Sequence, residues 1–282
     1  MKWLCYLLVS VFVLGGLSCV QINSHTGYDE KNSVQLYIKN FAATVQQINA
    51  DLVAEDITVK GDTQGETYVI VRVAGDGVSA NGISIDALQQ RVDKYYDLQI
   101  HQEDKALSIS VKQKMNNVPH SEALGFYFEV HTANSTIATV RNVSGDVKTD
   151  RLAGADASDV SGNIELNNIS GNAAASNTSG DIAGDNIGSV SNAHTVSGNI
   201  KLKINGLPAD AEISSVSGGI QLNYPSNVQA GADLGSTSGD VHIGSAGTVN
   251  YSVKKDNKIT ATLNGGGKSL SVHTTSGDIS IN

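Results

Sequence analysis

Cysteine and proline are nearly missing from these 282 residues, with two and three respectively, and there is one tryptophan. Two cysteines exclude a disulfide framework or a cysteine-based zinc site. Basic residues are also few: 19 Lys and Arg stand against 28 Asp and Glu, a net charge of −9. That balance argues against a nucleic-acid partner, because phosphate binding needs clustered Lys and Arg. Aromatics make up 5%. The seven histidines (His25, His101, His120, His131, His194, His242 and His273) show no His-x-His or His-Glu-x-x-His spacing. No phosphate loop, dinucleotide fingerprint or Gly-x-Ser-x-Gly elbow occurs. The sequence therefore nominates no catalytic residue, metal ligand or cofactor, and the chain reads as a non-enzyme. Hydrophobic residues nevertheless reach 40%, enough to build a core.

What is present begins with an address. Residues 1–19 read MKWLCYLLVSVFVLGGLSC, with Lys2 ahead of an apolar run from Trp3 to Leu14 and then small residues. This is the layout of a secretory signal, and the run is short for a transmembrane span. Residues 1–18 are expected to be removed as a signal peptide, which takes Lys2 away and makes the chain one unit more acidic. The segment Gly16-Leu17-Ser18-Cys19 resembles a bacterial lipoprotein box, although Gly16 stands where leucine is usual. Cys19 is thus the expected lipidation site, and multiple acyl chains would anchor the protein firmly. The alternative is plain cleavage that leaves a free thiol. Residues 19–32 read as a polar tether, and no second hydrophobic segment follows.

Residues 33–133 look β-rich with one helix. Val34, Leu36 and Ile38 alternate with polar residues, and Tyr68–Val73 is almost wholly apolar. Over 84–96 the pattern changes: Ile85, Leu88, Val92 and Tyr95 fall at helical spacing, with Ser84 or Asp86 near the N-cap. Tyr95 and Tyr96 could form a sugar-stacking platform, but packing in a core is the commoner use of such a pair.

From residue 134 to 282 a phrase recurs. It reads VSGDV at 143–147, VSGNI at 160–164, ISGNA at 169–173, TSGDI at 178–182 and VSGNI at 196–200. It returns as VSGGI at 216–220, TSGDV at 237–241 and TSGDI at 275–279. KDNKI at 255–259 reads as a degenerate copy with Asn257 in the glycine's place, since asparagine tolerates left-handed backbone best after glycine. Twenty of the 29 glycines lie in this half. The markers Gly145, Gly162, Gly180, Gly198, Gly218, Gly239 and Gly277 recur about every 18–20 residues. Looser turn signals fall between them at Gly154, Gly171, Gly188 and Gly206. Positions two and four beyond each marker are apolar pairs such as Ile164/Leu166 and Ile200/Leu202, which fixes one buried face. Such short strands bury that face only by stacking, so the fold class is mainly β: a parallel β-helix over 134–282, preceded by the mixed region. An immunoglobulin-like sandwich would not repeat one phrase at this period.

In register, the residues after each marker form a column of Asp146, Asn163, Asp181, Asn199, Gly219, Asp240, Lys258 and Asp278. Aligned carboxylates suit calcium. Asp and Asn are also turn residues, and the calcium nonapeptide pattern is missing, so turn chemistry is the expectation.

The lipoprotein-like signal, the 84–96 helix with YYDLQI at 95–100 and the SGD and SGN turns together resemble a bacterial family that carries the label "putative adhesin". That family consists of β-helical cell-envelope proteins common in Bacteroidota, and the resemblance covers roughly 34–282. It implies an exported, outer-membrane lipoprotein that presents a rigid β-helix in an adhesive or scaffolding role, and it implies no catalytic residues. Partners would be the membrane, through the lipid, and a protein or glycan surface. A carbohydrate-active β-helix and an envelope signalling accessory are the alternatives. The repeat runs to Ile281-Asn282 with no cap after it, so an open last coil and end-to-end self-association are also expected.

Overall fold

The computed structural model describes residues 33–41, 45–63, 65–79, 82–244 and 247–282. The signal peptide, the tether and Cys19 lie outside the described residues. The first region contains β1 (Val34–Phe41), β2 (Gln47–Asp51), β3 (Asp56–Thr63) and β4 (Thr67–Gly75), then α1 (Ile85–Tyr95). It continues with β5 (Tyr96–Glu103), β6 (Ala106–Gln113) and β7 (Leu124–Ala133). The helix matches the expected 84–96 segment closely. Ser84 caps it by accepting the Ala87 amide, and Leu88, Val92 and Tyr95 are its buried face.

Apart from one hairpin, the repeat region alternates between two sheets. Its strands are β8 (Ile137–Arg141), β9 (Val147–Asp150), β10 (Gly154–Ser158), β11 (Ile164–Asn167), β12 (Asn172–Ser179) and β13 (Ile182–Ile187). They continue as β14 (Ser189–Ser197), β15 (Ile200–Ile204), β16 (Ala211–Ser217), β17 (Ile220–Asn223), β18 (Ala230–Ser238) and β19 (Val241–Ile243). The last four are β20 (Val249–Lys255), β21 (Lys258–Leu263), β22 (Lys268–Ser276) and β23 (Ile279–Ile281). An 11-stranded sheet runs β1-β4-β7-β3-β9-β11-β13-β15-β17-β23-β19. A 12-stranded sheet runs β20-β21-β18-β22-β16-β14-β12-β10-β8-β2-β6-β5. Each coil is one strand of the second sheet, a Ser-Gly turn, and one strand of the first. Parallel pairing between coils makes this the expected β-helix.

The register confirms the apolar columns. Val147, Ile164, Ile182, Ile200, Ile220, Ile279 and Val241 pair rung to rung and are buried. In the earlier rungs the second sheet contributes small side chains, Ala155, Ala157, Ala173, Ala175 and Ala193, and in the later ones Ile213, Val272 and Leu234. Aliphatic side chains thus fill most of this interior, and Tyr224 is the buried aromatic of this half among the described residues. The aromatics gather at the other end, where Tyr96 meets Phe126 edge-on with centroids 5.0 Å apart. Tyr95 and Tyr96 are buried, so the pair packs in the core.

The order of coils departs from the order of the sequence at both ends. The coil β2–β3 lies between β6–β7 and β8–β9, so the sheets run without a break across residue 134. The coil β22–β23 lies between β16–β17 and β18–β19. The strand expected to form an open end is therefore an interior strand with neighbours on both sides. KDNKI is not a coil turn either. It is the tip of the antiparallel hairpin β20–β21, Asn257 lies outside the left-handed region, and the Asp256 carbonyl accepts the Val241 amide across the end of the stack.

Candidate functional site

The Ser-Gly turns stack into a column whose chemistry runs along the rod. Gly145, Gly162, Gly180, Gly198, Gly218, Gly277 and Gly239 all have positive φ, between 122° and 155°. A Cβ at Gly162, Gly180, Gly198 or Gly218 would overlap the carbonyl oxygen of the marker glycine one rung earlier. Glycine is therefore required twice, for the backbone angle and for the close approach of the next turn.

The residue after each glycine bonds along the column. The Asn163 amide donates to Asp146 Oδ1 (3.0 Å), Asp181 to Asn163 Oδ1 (3.1 Å), Asn199 to Asp181 Oδ1 (2.7 Å) and Gly219 to Asn199 Oδ1 (3.0 Å). At the two ends Asp146 donates to Asp56 Oδ1 (2.7 Å) and Asp240 to Asp278 Oδ1 (2.9 Å). The aspartates thus hold the next rung's backbone. No group of three or more His, Cys, Asp or Glu is placed to hold a metal among the described residues. Gly219 interrupts the ladder, because it offers no side chain to the Asp278 amide above it. Lys258, expected in this column, lies in β21 instead.

A third column lies three residues before each glycine and points inward. Asn142 donates to the Glu55 carbonyl (2.8 Å), Asn177 to that of Gly162 (2.6 Å), Thr195 to Gly180 (3.2 Å) and Ser215 to Gly198 (3.1 Å). Thr274 donates to Gly218 (3.0 Å) and Ser236 to Gly277 (2.9 Å).

The opposite corner carries an asparagine ladder that the repeat phrase did not reveal. Asn168 donates to Asp150 Oδ1, Asn186 to Asn168 Oδ1 and Asn205 to Asn186 Oδ1, each at 2.8 Å. Asn168 and Asn186 are left-handed, at φ 53° and 56°. Their spacing of 18 and 19 residues was the available signal, hidden because attention falls on the glycines nearby.

Two side-chain clusters lie outside the ladders. His131 is held between Asp62 (Nδ1, 3.0 Å) and Glu129 (Nε2, 3.1 Å) and stacks on Tyr68 at 4.5 Å. Lys60 holds the Glu129 carboxyl below its ordinary value despite burial, with His131 adding to the effect. The second is a groove of about 560 Å³ on the outer face of the 12-stranded sheet, beside the β20–β21 hairpin. His194, Ser214, His273, Gly235 and Lys258 follow one another across five strands in register. His194 Nδ1 and Ser214 Oγ are 2.9 Å apart, and His273 Nε2 lies 3.8 Å from Asp233 Oδ2. Glu212, Thr237 and Thr275 also line the groove. Gly235 keeps it deep, since a Cβ there would stand 3.0 Å from His273 Nδ1.

The family model for Toastrack DUF4097 matches residues 27–282. The chain belongs to the Toastrack family. Among solved structures, it is similar to a "putative adhesin" from Bacteroides fragilis, at 16% identity over 87% of this chain and 96% of that one, with a TM-score of 0.48. A "putative cell adhesion protein" from Clostridium sporogenes matches at 13% identity over 88% and 98%, with a TM-score of 0.34. A "putative lipid binding protein" from Parabacteroides distasonis matches at 13% over 90% and 98%, with a TM-score of 0.42. No protein with a curated description matches this Toastrack chain.

Proposed function

We propose that this Toastrack protein is a non-catalytic cell-envelope lipoprotein, held to the outer membrane by acyl chains on Cys19, whose β-helix acts in adhesion or as a scaffold. One observation carries the reading. The periodic Asp, Asn, Ser and Thr side chains are spent on backbone groups of neighbouring rungs. They stiffen the stack and leave the broad sheet faces, with the polar groove near the hairpin, as the contact surface. A rod so locked suits presentation of a surface at a distance from its anchor.

The groove favours a glycan over an apolar ligand, because His194, Ser214, Glu212, Thr237 and Thr275 supply both donors and acceptors for hydroxyl groups. The test has two parts. Mass spectrometry of the mature protein should show Cys19 as an acylated N-terminus, and a cysteine without acyl mass overturns the anchor. Envelope polysaccharide binding should fall on His194→Ala with His273→Ala. Binding that survives both substitutions removes the groove from the function, and turnover of the polysaccharide overturns the non-catalytic reading.

A further inference from the structure

One rung of the inward column breaks the pattern. In seven successive rungs from Asn142 to Ser236, six side chains donate to the carbonyl of the preceding rung, and the seventh is Asp159. An ionised carboxylate cannot donate. Asp159 is 5% exposed. Its Oδ1 accepts the Val160 amide at 2.7 Å and the Ser161 amide at 3.2 Å. Its Oδ2 is buried with no hydrogen-bond partner. A Cβ built on Gly162 would meet both this Oδ2 and the Gly145 carbonyl oxygen, so the two oxygens face the same small space. Gly145 is the acceptor that the column assigns to this rung.

We propose that Asp159 keeps its proton in the folded protein at pH values where an exposed aspartate has lost it, and donates it from Oδ2 to the Gly145 carbonyl, making this turn a pH-sensitive joint in the rod. The surroundings act in that direction. Burial raises the Asp159 carboxyl above its ordinary value, and the acidic Asp146 on the preceding rung and Asp56 on the rung before that raise it further, against the lowering effect of the two amides. The turn of its own rung carries the neutral Asn163, the next rung presents the neutral Asn177 and, in its turn, Asp181, and the Glu55 carboxyl is directed at the Val53 and Ala54 amides. When pH rises through the folded titration, the proton passes to water and two oxygens with lone pairs are left facing each other. The stabilisation is complete below the exposed aspartate value, near 3.9, and is lost as Asp159 ionises in the folded state.

The joint can be read by hydrogen exchange on the full chain across a pH series. Beyond the chemical rate, exchange of the Val160, Ser161, Gly162 and Gly145 amides should accelerate by up to about tenfold per pH unit within that window. Asp159→Asn, which supplies the donor found at Asn142 and Asn177, should remove the acceleration. Asp159→Thr, which copies Thr195, should do the same if the amide misfits. The infrared band for protonated carboxyls should weaken by one group in both variants, leaving the Glu55 contribution. A pH dependence unchanged in both variants, or a protonated-carboxyl band at weakly acid pH that is the same in the wild type and the variants, overturns the proposal.

Discussion

Gly219 is the missing step of the Asp/Asn ladder, and filling it tests the account of how the rungs are held. In Gly219→Asn the new Oδ1 would accept the Asp278 amide, as Asn199 Oδ1 accepts that of Gly219 at 3.0 Å. Space is available: a Cβ at this position stands 3.4 Å from the Asp278 carbonyl oxygen and 3.7 Å from Asn199 Oδ1. The backbone does not have the positive φ of its neighbour Gly218. One hydrogen bond contributes about 0.5–1.5 kcal/mol. Removing a glycine from the unfolded chain adds about 0.4–1 kcal/mol. Ordering the side chain subtracts about 1 kcal/mol. The expected gain is about 1 kcal/mol, or about 2 °C in Tm. One residue earlier the sign reverses. Gly218→Ala places a methyl group into the Gly198 carbonyl on a backbone at φ 152°, and should lose about 3 kcal/mol. Urea unfolding of both variants reads the contrast. If Gly219→Asn is no more stable than the wild type, or Gly218→Ala is tolerated, the stacked-turn reasoning fails.

Glu55 predicts a separate pH effect. Burial pushes its carboxyl up to about 7, against the Val53 and Ala54 amides that favour ionisation. The folded state then holds a proton that the unfolded state has lost, so stability falls as pH rises from about 4.5 to about 7, by about 3 kcal/mol in all. Glu55→Gln should flatten that part of a Tm-against-pH curve, and an unchanged curve would remove Glu55 as its source. At the opposite corner, Asn186→Ala deletes both of its ladder bonds and leaves alanine at φ 56°. The cost should be about 1–2 kcal/mol by chemical denaturation, and Asn186→Gly should recover the backbone part.

The coils and their Ser-Gly turns were legible because stacking imposes the same demand at every rung. Glycine at a close approach and an apolar residue two places on leave a periodic trace. The α1 boundaries were legible for a local reason, the Ser84 cap and the spacing of Leu88, Val92 and Tyr95. The order of the coils was not. TSGDV at 237–241 and TSGDI at 275–279 present the same turn to either neighbour, and nothing in the phrase says which lies against Gly218. That choice belongs to the β20–β21 hairpin, whose antiparallel strands leave the stack between the two copies and cover its end. The β2–β3 coil escaped notice because Glu55-Asp56 replaces the Gly-Asp of its turn, although Asp56 still bonds the Asp146 amide. The groove was invisible because its residues come from five strands and share no motif.

The interleaving of the coils also dictates when the rod can close. A simple solenoid can add each coil to the last as it emerges. Here β22–β23 must enter between β16–β17 and β18–β19, although residues 230–243 precede it in the chain. Until residues 268–281 arrive, β18–β19 has no neighbour on the rod side. The far end therefore assembles as one cooperative unit of two coils and a hairpin, late and all together, while the middle rungs can zip one by one.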